Sequence, residues 1–403
     1  MKDTAEISGA DSPRRLSICL VAHNAYRALT GLGEGHLGGV ERQTAIMARW
    51  LAARGHQVSV LIWDPGAGAR REVDGIRLIG ICPPDAGLPV MRFLHPRTSG
   101  LLRALRQADA EVYYHNCAEA FTGIIGLWTR ARGRKFVYSV ASDPDVEPSL
   151  PTLTRFYERW FYRAGLKRAD SIIVQSERQQ KTLAAGFGRP SLVLPMPCPG
   201  PDAESPVAAR PSGPMRVAWI GRMDPVKRLD WLLDVAERLP GIIFDVAVAN
   251  LHGGDDASVL QKRAQALANI HWHGPVPHER VAELYRAASC LCCTSVIEGF
   301  PNTFIESWSH GRPVVTTFDP DGLVARKNLG TVARSVEEMV AALRKLNQSP
   351  ELWAQQSQAV RSYYLENHQV EIAMPRFEAA FLAVCREASS VNLSNETAAS
   401  QGA

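Results

Sequence analysis

Two glutamates with seven residues between them, Glu298 and Glu306, stand in the stretch SVIEGFPNTFIESWSHGRP, residues 295–313. A short apolar run over residues 290–294 precedes them and reads as a buried parallel strand. Glu298, Gly299, Phe300 and Pro301 can neither continue a strand nor open a helix cleanly. Asn302 or Thr303 then caps a helix that runs to about His310, and Gly311 ends it. A strand that turns into a helix N-terminus points backbone N–H groups and the positive end of the helix dipole at one place, which suits an anion such as a phosphate. Glu298 lies on the turn and Glu306 about one helical turn further on, so both can face one pocket. Plainer readings exist. Thr303 and Glu306 fit a capping box, and Glu298 fits a solvated loop.

Cations stand at comparable places. Arg222 and Lys227 in IGRMDPVKRLD lie between a strand end and a helix start. A guanidinium fork and an ammonium together can hold a diphosphate and stabilise its charge as a bond to it breaks. The alternative is two solvated surface cations. His115 ends the strand VYYHN, where it could touch a sugar hydroxyl or a reacting centre, or sit satisfied in the core. The loop TGLGEGHLGG spells GxGxxG at Gly33, Gly35 and Gly38, with Asp64 ending the next strand. That dinucleotide fingerprint is weak, because the motif should begin almost at the strand's end and Ala22 is well upstream. Gly38 and Gly39, directly before a helix, would let a phosphate or sugar approach the backbone, unless the loop is merely loose. Over residues 152–168, Arg155, Arg159, Arg163 and Lys167 recur every four residues beside Phe156 and Trp160, with Tyr157 and Phe161 next. Such a helix suits an anionic membrane surface, or else keeps its aromatics in the core and its charges in water.

The elements that must position these residues alternate. Strands are expected over 16–22, 57–63, 76–81, 111–115, 135–140, 171–175 and 191–195. Helices fall between them over 40–54, 99–107, 117–130, 152–168 and 177–185. The stretch 195–214 holds seven prolines and two glycines and reads as a hinge. The pattern restarts at residue 215, with strands over 216–220, 243–249, 270–273, 290–294 and 314–317. Its helices are expected over 229–238, 258–267, 278–287, 336–346, 350–366 and 371–386. This is an α/β chain with two doubly wound domains, each binding at the carboxyl ends of its strands. The expected division is a flexible tail (1–15), a first Rossmann-like domain (16–195), a hinge (196–214) and a second Rossmann-like domain (215–370). A helix packing back on the first domain (371–386) and a disordered tail (387–403) would follow.

Composition narrows the class. The 403 residues suit two domains, and 46% apolar residues is ordinary for a globular chain. A net charge of +4 does not by itself argue for nucleic acid, and none is expected as a partner. Of eight cysteines, Cys290, Cys292 and Cys293 sit in a strand as small hydrophobes. No pair of CxxC motifs offers a zinc site, so no metal is expected. The polar N-terminus has no apolar signal core and no stretch approaches a membrane span, so a cytoplasmic protein is expected.

In this order the pieces resemble the retaining glycosyltransferases of family 4, with the GT-B fold of two Rossmann-like domains facing a central cleft. The resemblance covers residues 16–385. It rests on GGVE at the first helix, GRMDPVKRLD after the hinge, HGPVPHERVAELYRAAS, and EGFPNTFIESWSHGRPVV. It implies a nucleotide-sugar donor, a UDP- or GDP-sugar, held mainly by the second domain, with no further cofactor and no metal. Arg222 and Lys227 would grip the diphosphate and Glu306 the ribose hydroxyls. Glu298 would sit by the sugar, surrounded by the Gly299, Phe300, Pro301, Asn302 and Thr303 backbone. The base would lie near Gly274, Pro275 and Val276. Gly38 and Gly39 would approach the phosphates from the first domain, and His115 would contact the sugar near the reacting carbon. The acceptor would be a saccharide or lipid-linked saccharide hydroxyl, attacked on the face the leaving group departs from, with the leaving phosphate oxygen assisting its deprotonation. The setting implied is bacterial surface polysaccharide or glycolipid assembly at the inner face of the membrane. The segment TFDPDGLVARKNLG departs from the family pattern, and the TGLGEGHL insertion reads as a lid. A nucleotide-sugar epimerase, a phosphorylase and a non-catalytic sugar-nucleotide sensor compete, and a dehydrogenase less so. Retention of Glu298, Glu306, Arg222 and Lys227 argues against the sensor.

Overall fold

The computed structural model describes residues 14–32, 38–89, 91–205, 209–248 and 254–400. Gly33 and Gly35 of the glycine loop and the first thirteen residues lie outside them.

Runs such as Ile18 to Val21 are buried residue after residue, because a parallel sheet is covered by helices on both faces. The first sheet holds β1 (Ser17–Val21), β2 (Gln57–Ile62), β3 (Glu72–Val73), β4 (Ile76–Gly80), β5 (Val112–Asn116), β6 (Lys135–Ser139), β7 (Ser171–Val174) and β8 (Leu192–Val193). Their order is β3-β4-β2-β1-β5-β6-β7-β8. All neighbours pair in parallel except β3, which pairs antiparallel with β4. β3 was not expected. Asp74 and Gly75, both at positive φ (50° and 73°), make the two-residue hairpin turn that adds it. The second sheet holds β9 (Arg216–Gly221), β10 (Ile243–Val248), β11 (Ile270–Gly274), β12 (Cys290–Cys293), β13 (Val314–Thr316) and β14 (Gly330–Val332), in the order β11-β10-β9-β12-β13-β14.

Each sheet reverses its winding once, between β1 and β5 in the first and between β9 and β12 in the second. At such a switch point the crossover helices leave to opposite faces and open a crevice at the strands' carboxyl ends.

Short helices at Tyr26–Thr30 and Leu323–Arg326 were not expected, and the helix expected from residue 258 begins at Gly254. Three further helices have shifted boundaries. The one expected from Cys117 begins at Ala120, because Cys117 takes φ 90° and Glu119 is extended. The one expected from Thr152 begins at Phe156, because Arg155 is an extended N-cap whose N–H is accepted by Glu158 Oε2 at 3.2 Å. The last helix runs Val370–Ser400, past Arg386 and through the expected disordered tail. Residues 387–400 contain no glycine or proline to stop it.

The helices Ala120–Ala131 and Phe156–Arg168 touch backbone to backbone. A Cβ on Gly123 would lie 2.1 Å from the Phe161 carbonyl oxygen, and one on Gly165 would lie 2.5 Å from that of Thr122. The proline-rich connection is tied to helix Pro350–Asn367. Tyr364 Oη donates to the Cys198 carbonyl at 2.9 Å, Arg361 Nη2 to that of Pro201 at 3.1 Å, and His368 Nδ1 to that of Met196 at 2.8 Å. The final helix returns to the first sheet, where Phe381 meets the Tyr114 ring edge-on at 5.9 Å and Glu378 holds His56 at 2.8 Å.

Candidate active site

At the second switch point, the loops after β9 and β12 are stitched together. Val296 N–H donates to the Val226 carbonyl at 2.9 Å, Arg228 Nε to that of Thr294 at 2.7 Å, and Thr294 Oγ1 to that of Lys227. This places Lys227 against Glu298 in a half-buried ion pair. Arg222 does not join it. Its side chain is 53% exposed and lies 3.5 Å from Asp224, whose own Oδ1 caps the turn by accepting from Val226 N–H.

The helix after β12 spans Asn302–Ser309, with Pro301 as its N-cap and no side-chain cap bond. Neither Asn302 nor Thr303 caps it, and the capping-box reading of Glu306 fails. Glu306 turns outward instead. Its Oε1 lies 2.7 Å from Arg42 Nη1 of the first domain, and its Oε2 accepts from Tyr285 Oη at 3.0 Å. Burial and the Glu306 charge hold the Tyr285 phenol well above its ordinary pKa, so it serves as a donor. Asn302 Oδ1 accepts from Gln43 Nε2 at 3.1 Å. A cavity of about 870 Å³ opens between the domains here, walled by Gly39, Arg42, Tyr285, Asn302, Glu306 and His310. Its size is that of sites for nucleotide-sized ligands. His310 stacks on Tyr285 at 5.9 Å. Burial, then Arg286, Arg312 and Arg361, push its pKa down to about 4, so it presents a neutral ring.

The two glutamates do not share one pocket. Glu298 lines a small cavity with Lys227 and Thr303, and Glu306 lines the large one. One turn of helix rotates Glu306 toward the first domain, while the loop keeps Glu298 against the ends of β9 and β12.

Gly299 sits where the domains meet. A Cβ there would lie 2.5 Å from the Ala141 carbonyl oxygen, and the Phe300 N–H donates to Gln175 Oε1 at 2.8 Å. The amide that the sequence aims at an anion is thus held by the first domain. Gly38 is the N-cap of helix Gly39–Ala53, and a Cβ on Gly39 would lie 2.2 Å from Asn302 Nδ2. Gly274 ends β11 at φ 62°, followed by Pro275 and by Val276, which packs against the core. Among the residues singled out in the sequence, the fold gathers Lys227, Glu298, Thr303, Asn302, Glu306 and Gly39 around one helix start.

His115 lies at the first switch point, 1% exposed, its Nδ1 donating to the Val21 carbonyl at 3.0 Å. Its Nε2 is 3.2 Å from Glu119 Oε1, and His23 Nδ1 is 3.6 Å from the same oxygen. Burial pushes the Glu119 carboxyl up, but His23, His115 and Arg97 together pull it below its ordinary value. Donor atoms of His115, Cys117 and Glu119 lie within 4.8 Å of one another. Burial, with the carboxylates of Glu119, Asp145 and Glu41, holds the Cys117 thiol well above its ordinary pKa, so the thiol stays protonated. The cluster presents a carboxylate between two imidazoles.

The helix Phe156–Arg168 does not bury all its aromatics. Tyr162 is in the core, whereas Phe156 is 85% and Trp160 59% exposed. Phe93 packs on Tyr157 at 5.0 Å, bringing the exposed Leu88, Met91 and Leu94 segment alongside. Among the described residues no helix is long and apolar enough to cross a membrane.

Sequence reading missed Arg42, Tyr285, Gln175, Glu119 and Asp321. Arg42 lies one turn past Gly39 on the helix opened by GGVE, a signal that was available. The others act across the fold. Asp321, in the segment that departs from the family pattern, accepts from the N–H groups of Glu177 and Arg178 at 2.7 and 2.9 Å, capping a first-domain helix from the second domain.

Residues 38–199 match the glycosyl transferase 4-like domain and residues 214–349 the glycosyl transferases group 1 domain. The chain belongs to the group 1 glycosyltransferases and is an enzyme of that class with the GT-B fold. It is 27% identical over 339 residues to a D-inositol 3-phosphate glycosyltransferase of Mycobacteroides abscessus, covering 75% of this chain and 74% of that one. It is 26% identical over 350 residues to the Mycobacterium tuberculosis protein of the same name, covering 77% and 69%. In fold it is similar to sucrose-phosphate synthase from Thermosynechococcus elongatus (TM-score 0.74, 16% identity, 92% of this chain and 99% of that one). It is also similar to WaaG, a glycosyltransferase involved in lipopolysaccharide biosynthesis (TM-score 0.66, 18% identity, 91% and 99%).

Proposed function

We propose that this enzyme moves a sugar from a nucleotide-sugar, a UDP- or GDP-sugar, to a hydroxyl acceptor with retention of configuration and without a metal. The observation that carries the reading is the helix start at Asn302. It sets Glu306 on a cavity large enough for a nucleotide and, on its other side, Glu298 against Lys227. In this reading Glu306 takes the ribose hydroxyls with the lone pairs that Arg42 and Tyr285 leave unused. Lys227, with three donors on one ammonium, turns from Glu298 to the diphosphate as well. Arg222 folds inward from the surface to share that charge. Cations there stabilise the leaving diphosphate as its bond to the sugar breaks, the work a metal would otherwise do.

The names of the relatives put inositol 3-phosphate among the first acceptors to try, beside saccharides and lipid-linked saccharides. A cytoplasmic place at the inner face of the membrane, in surface polysaccharide or glycolipid assembly, accords with Phe156 and Trp160 standing out of a helix that carries Arg155, Arg159 and Arg163. In that setting anionic vesicles sediment the wild type and not the Phe156→Ser/Trp160→Ser variant.

The test of the donor site is a thermal-shift screen against UDP, GDP, ADP, dTDP and NAD without added metal. One nucleoside diphosphate should raise the melting temperature, with the shift lost in Lys227→Ala. A response to NAD alone, or to none, contradicts the reading.

A further inference from the structure

The first-domain switch point, between β1 and β5, holds a side-chain cluster that the donor site does not use, since none of its residues lines either cavity there. His115, Cys117 and Glu119 are alternate residues at and just beyond the end of β5, the spacing that lets an extended segment bring side chains to one side. Their donor atoms all lie within 4.8 Å of one another. His23, which follows β1, brings Nδ1 to 3.6 Å from Glu119 Oε1. Three of these atoms, His23 Nδ1, His115 Nε2 and Glu119 Oε1, are buried and have no hydrogen-bond partner, a costly state that a ligand would relieve. His115 is 1% exposed, and its Nδ1 donates to the Val21 carbonyl, which can only accept. In the neutral ring Nε2 is then a bare lone pair, and the carboxylate oxygen 3.2 Å away also has only lone pairs to offer. Two such atoms repel unless a cation lies between them. A proton on Nε2 serves poorly, because the pair is close enough for a hydrogen bond but out of line for one. A metal ion suits the arrangement better. Ligands of a tetrahedral zinc ion stand about 3.3–3.6 Å apart, and the two separations to Glu119 Oε1 are 3.2 and 3.6 Å. Donation of the other ring N–H to a backbone carbonyl is also the arrangement that fixes a metal-bound imidazole.

We propose that His115 Nε2, Cys117 Sγ and Glu119 Oε1, with His23 Nδ1 as the fourth ligand, form a structural zinc site that ties the turn after β5 to the turn after β1. Two imidazole nitrogens, a sulfur and a carboxylate oxygen are donors that zinc takes. Gathering them on one ion requires about 1 Å of side-chain movement from the separations present. On binding, the Cys117 S–H bond breaks, the electron pair stays on sulfur and coordinates the ion, and the proton leaves to solvent. The thiolate and the Glu119 carboxylate together balance the two charges of the ion. Asp145 and Glu41 add negative charge near Cys117, and Arg97 adds positive charge near Glu119. The segment His-x-Cys-x-Glu lacks the paired CxxC spacing by which zinc sites are read from a sequence, so only the fold brings the set together. The ion takes no part in the glycosyl transfer proposed above, and the two readings stand or fall separately.

The experiment titrates cobalt(II), a spectroscopic substitute for zinc, into the full chain after treatment with a chelator. One equivalent should bind, with the visible bands of a tetrahedral site and a thiolate-to-cobalt charge-transfer band in the near ultraviolet, and zinc should displace it. Cys117→Ser should lose the charge-transfer band. Glu119→Gln should weaken cobalt binding by more than about 100-fold, beyond the cost of losing an outer-shell partner. Cys385→Ser, on the last helix, should change neither result. Zinc should raise the melting temperature of the wild type and not that of Cys117→Ser. Circular dichroism checks that each variant is folded, and Glu119→Gln, at a side chain 28% exposed, carries the test if Cys117→Ser is not. A wild type that gives no cobalt bands overturns the proposal and leaves a proton to close the cluster. So does a charge-transfer band that survives in Cys117→Ser or disappears in Cys385→Ser, or cobalt affinity that Glu119→Gln leaves unchanged. None of these outcomes bears on the transferase reading, which the nucleotide screen tests.

Discussion

Glu306 illustrates how much depends on one side chain's rotation about a helix. Placed one turn in, it faces away from Glu298 and meets Arg42 from the other domain and Tyr285 from a neighbouring helix. A carboxylate so flanked can accept a hydroxyl without losing either partner, because it has about four lone-pair sites. Glu306→Gln keeps an acceptor for Tyr285 but removes the charge opposite Arg42. We expect nucleotide affinity to fall about tenfold, about 1.4 kcal/mol, by calorimetric titration, with the melting temperature little changed. At this scale the sequence was informative about residue types and silent about pairing. Glu298, Glu306 and Lys227 could be singled out from their spacing beside glycines and prolines. Glu306's partners could not, because Arg42 and Tyr285 come from distant parts of the chain. Nor could the Gln175 bond to the Phe300 amide, which spans 125 positions.

Among the elements, most strands were legible as short apolar runs, but β14, three residues beginning at Gly330, was not expected. Helix starts were less so. The Cys117 and Thr152 boundaries moved because a positive φ at one and an extended cap at the other delay the first turn. β3 rests on a two-residue turn, Asp74-Gly75, that is a signal in itself. The crossing of helices Ala120–Ala131 and Phe156–Arg168 leaves no room for a single added methyl group. Gly123→Ala puts a carbon against the Phe161 carbonyl with no flexible side chain to give way. We expect it to cost about 1–3 kcal/mol by overpacking, read as a lower denaturant midpoint. Diphosphate binding should survive in the fraction that folds.

The whole molecule is two sheets joined by loops at their strands' carboxyl ends, Gly299 against Ala141 among them. The domains meet through few polar contacts: Arg42 with Glu306, Gln43 with Asn302, Gln175 with the Phe300 amide, and Asp321 with the Glu177 and Arg178 amides. Interfaces of that kind permit the domains to move relative to one another. Asp321 uses the dipole of helix Glu177–Phe187 to hold the domains together. Losing such a cap costs about 1 kcal/mol. Asp321→Ala should therefore shift the population toward an open form by about fivefold, seen as a larger radius of gyration in solution scattering. Unchanged scattering would mean that the remaining contacts set the closure alone. This clasp was invisible in the sequence, where the segment read only as a departure from the family pattern.

The central claim is that the cleft transfers a sugar from a nucleotide donor held by Lys227 and Glu306. The most direct measurement is release of nucleoside diphosphate from a panel of UDP- and GDP-sugars, with and without polyhydroxyl acceptors, by wild type and Lys227→Ala. The account predicts release that depends on acceptor for one donor, and its loss in Lys227→Ala at an unchanged melting temperature. Release that is indifferent to acceptor, or undiminished in Lys227→Ala, would contradict it.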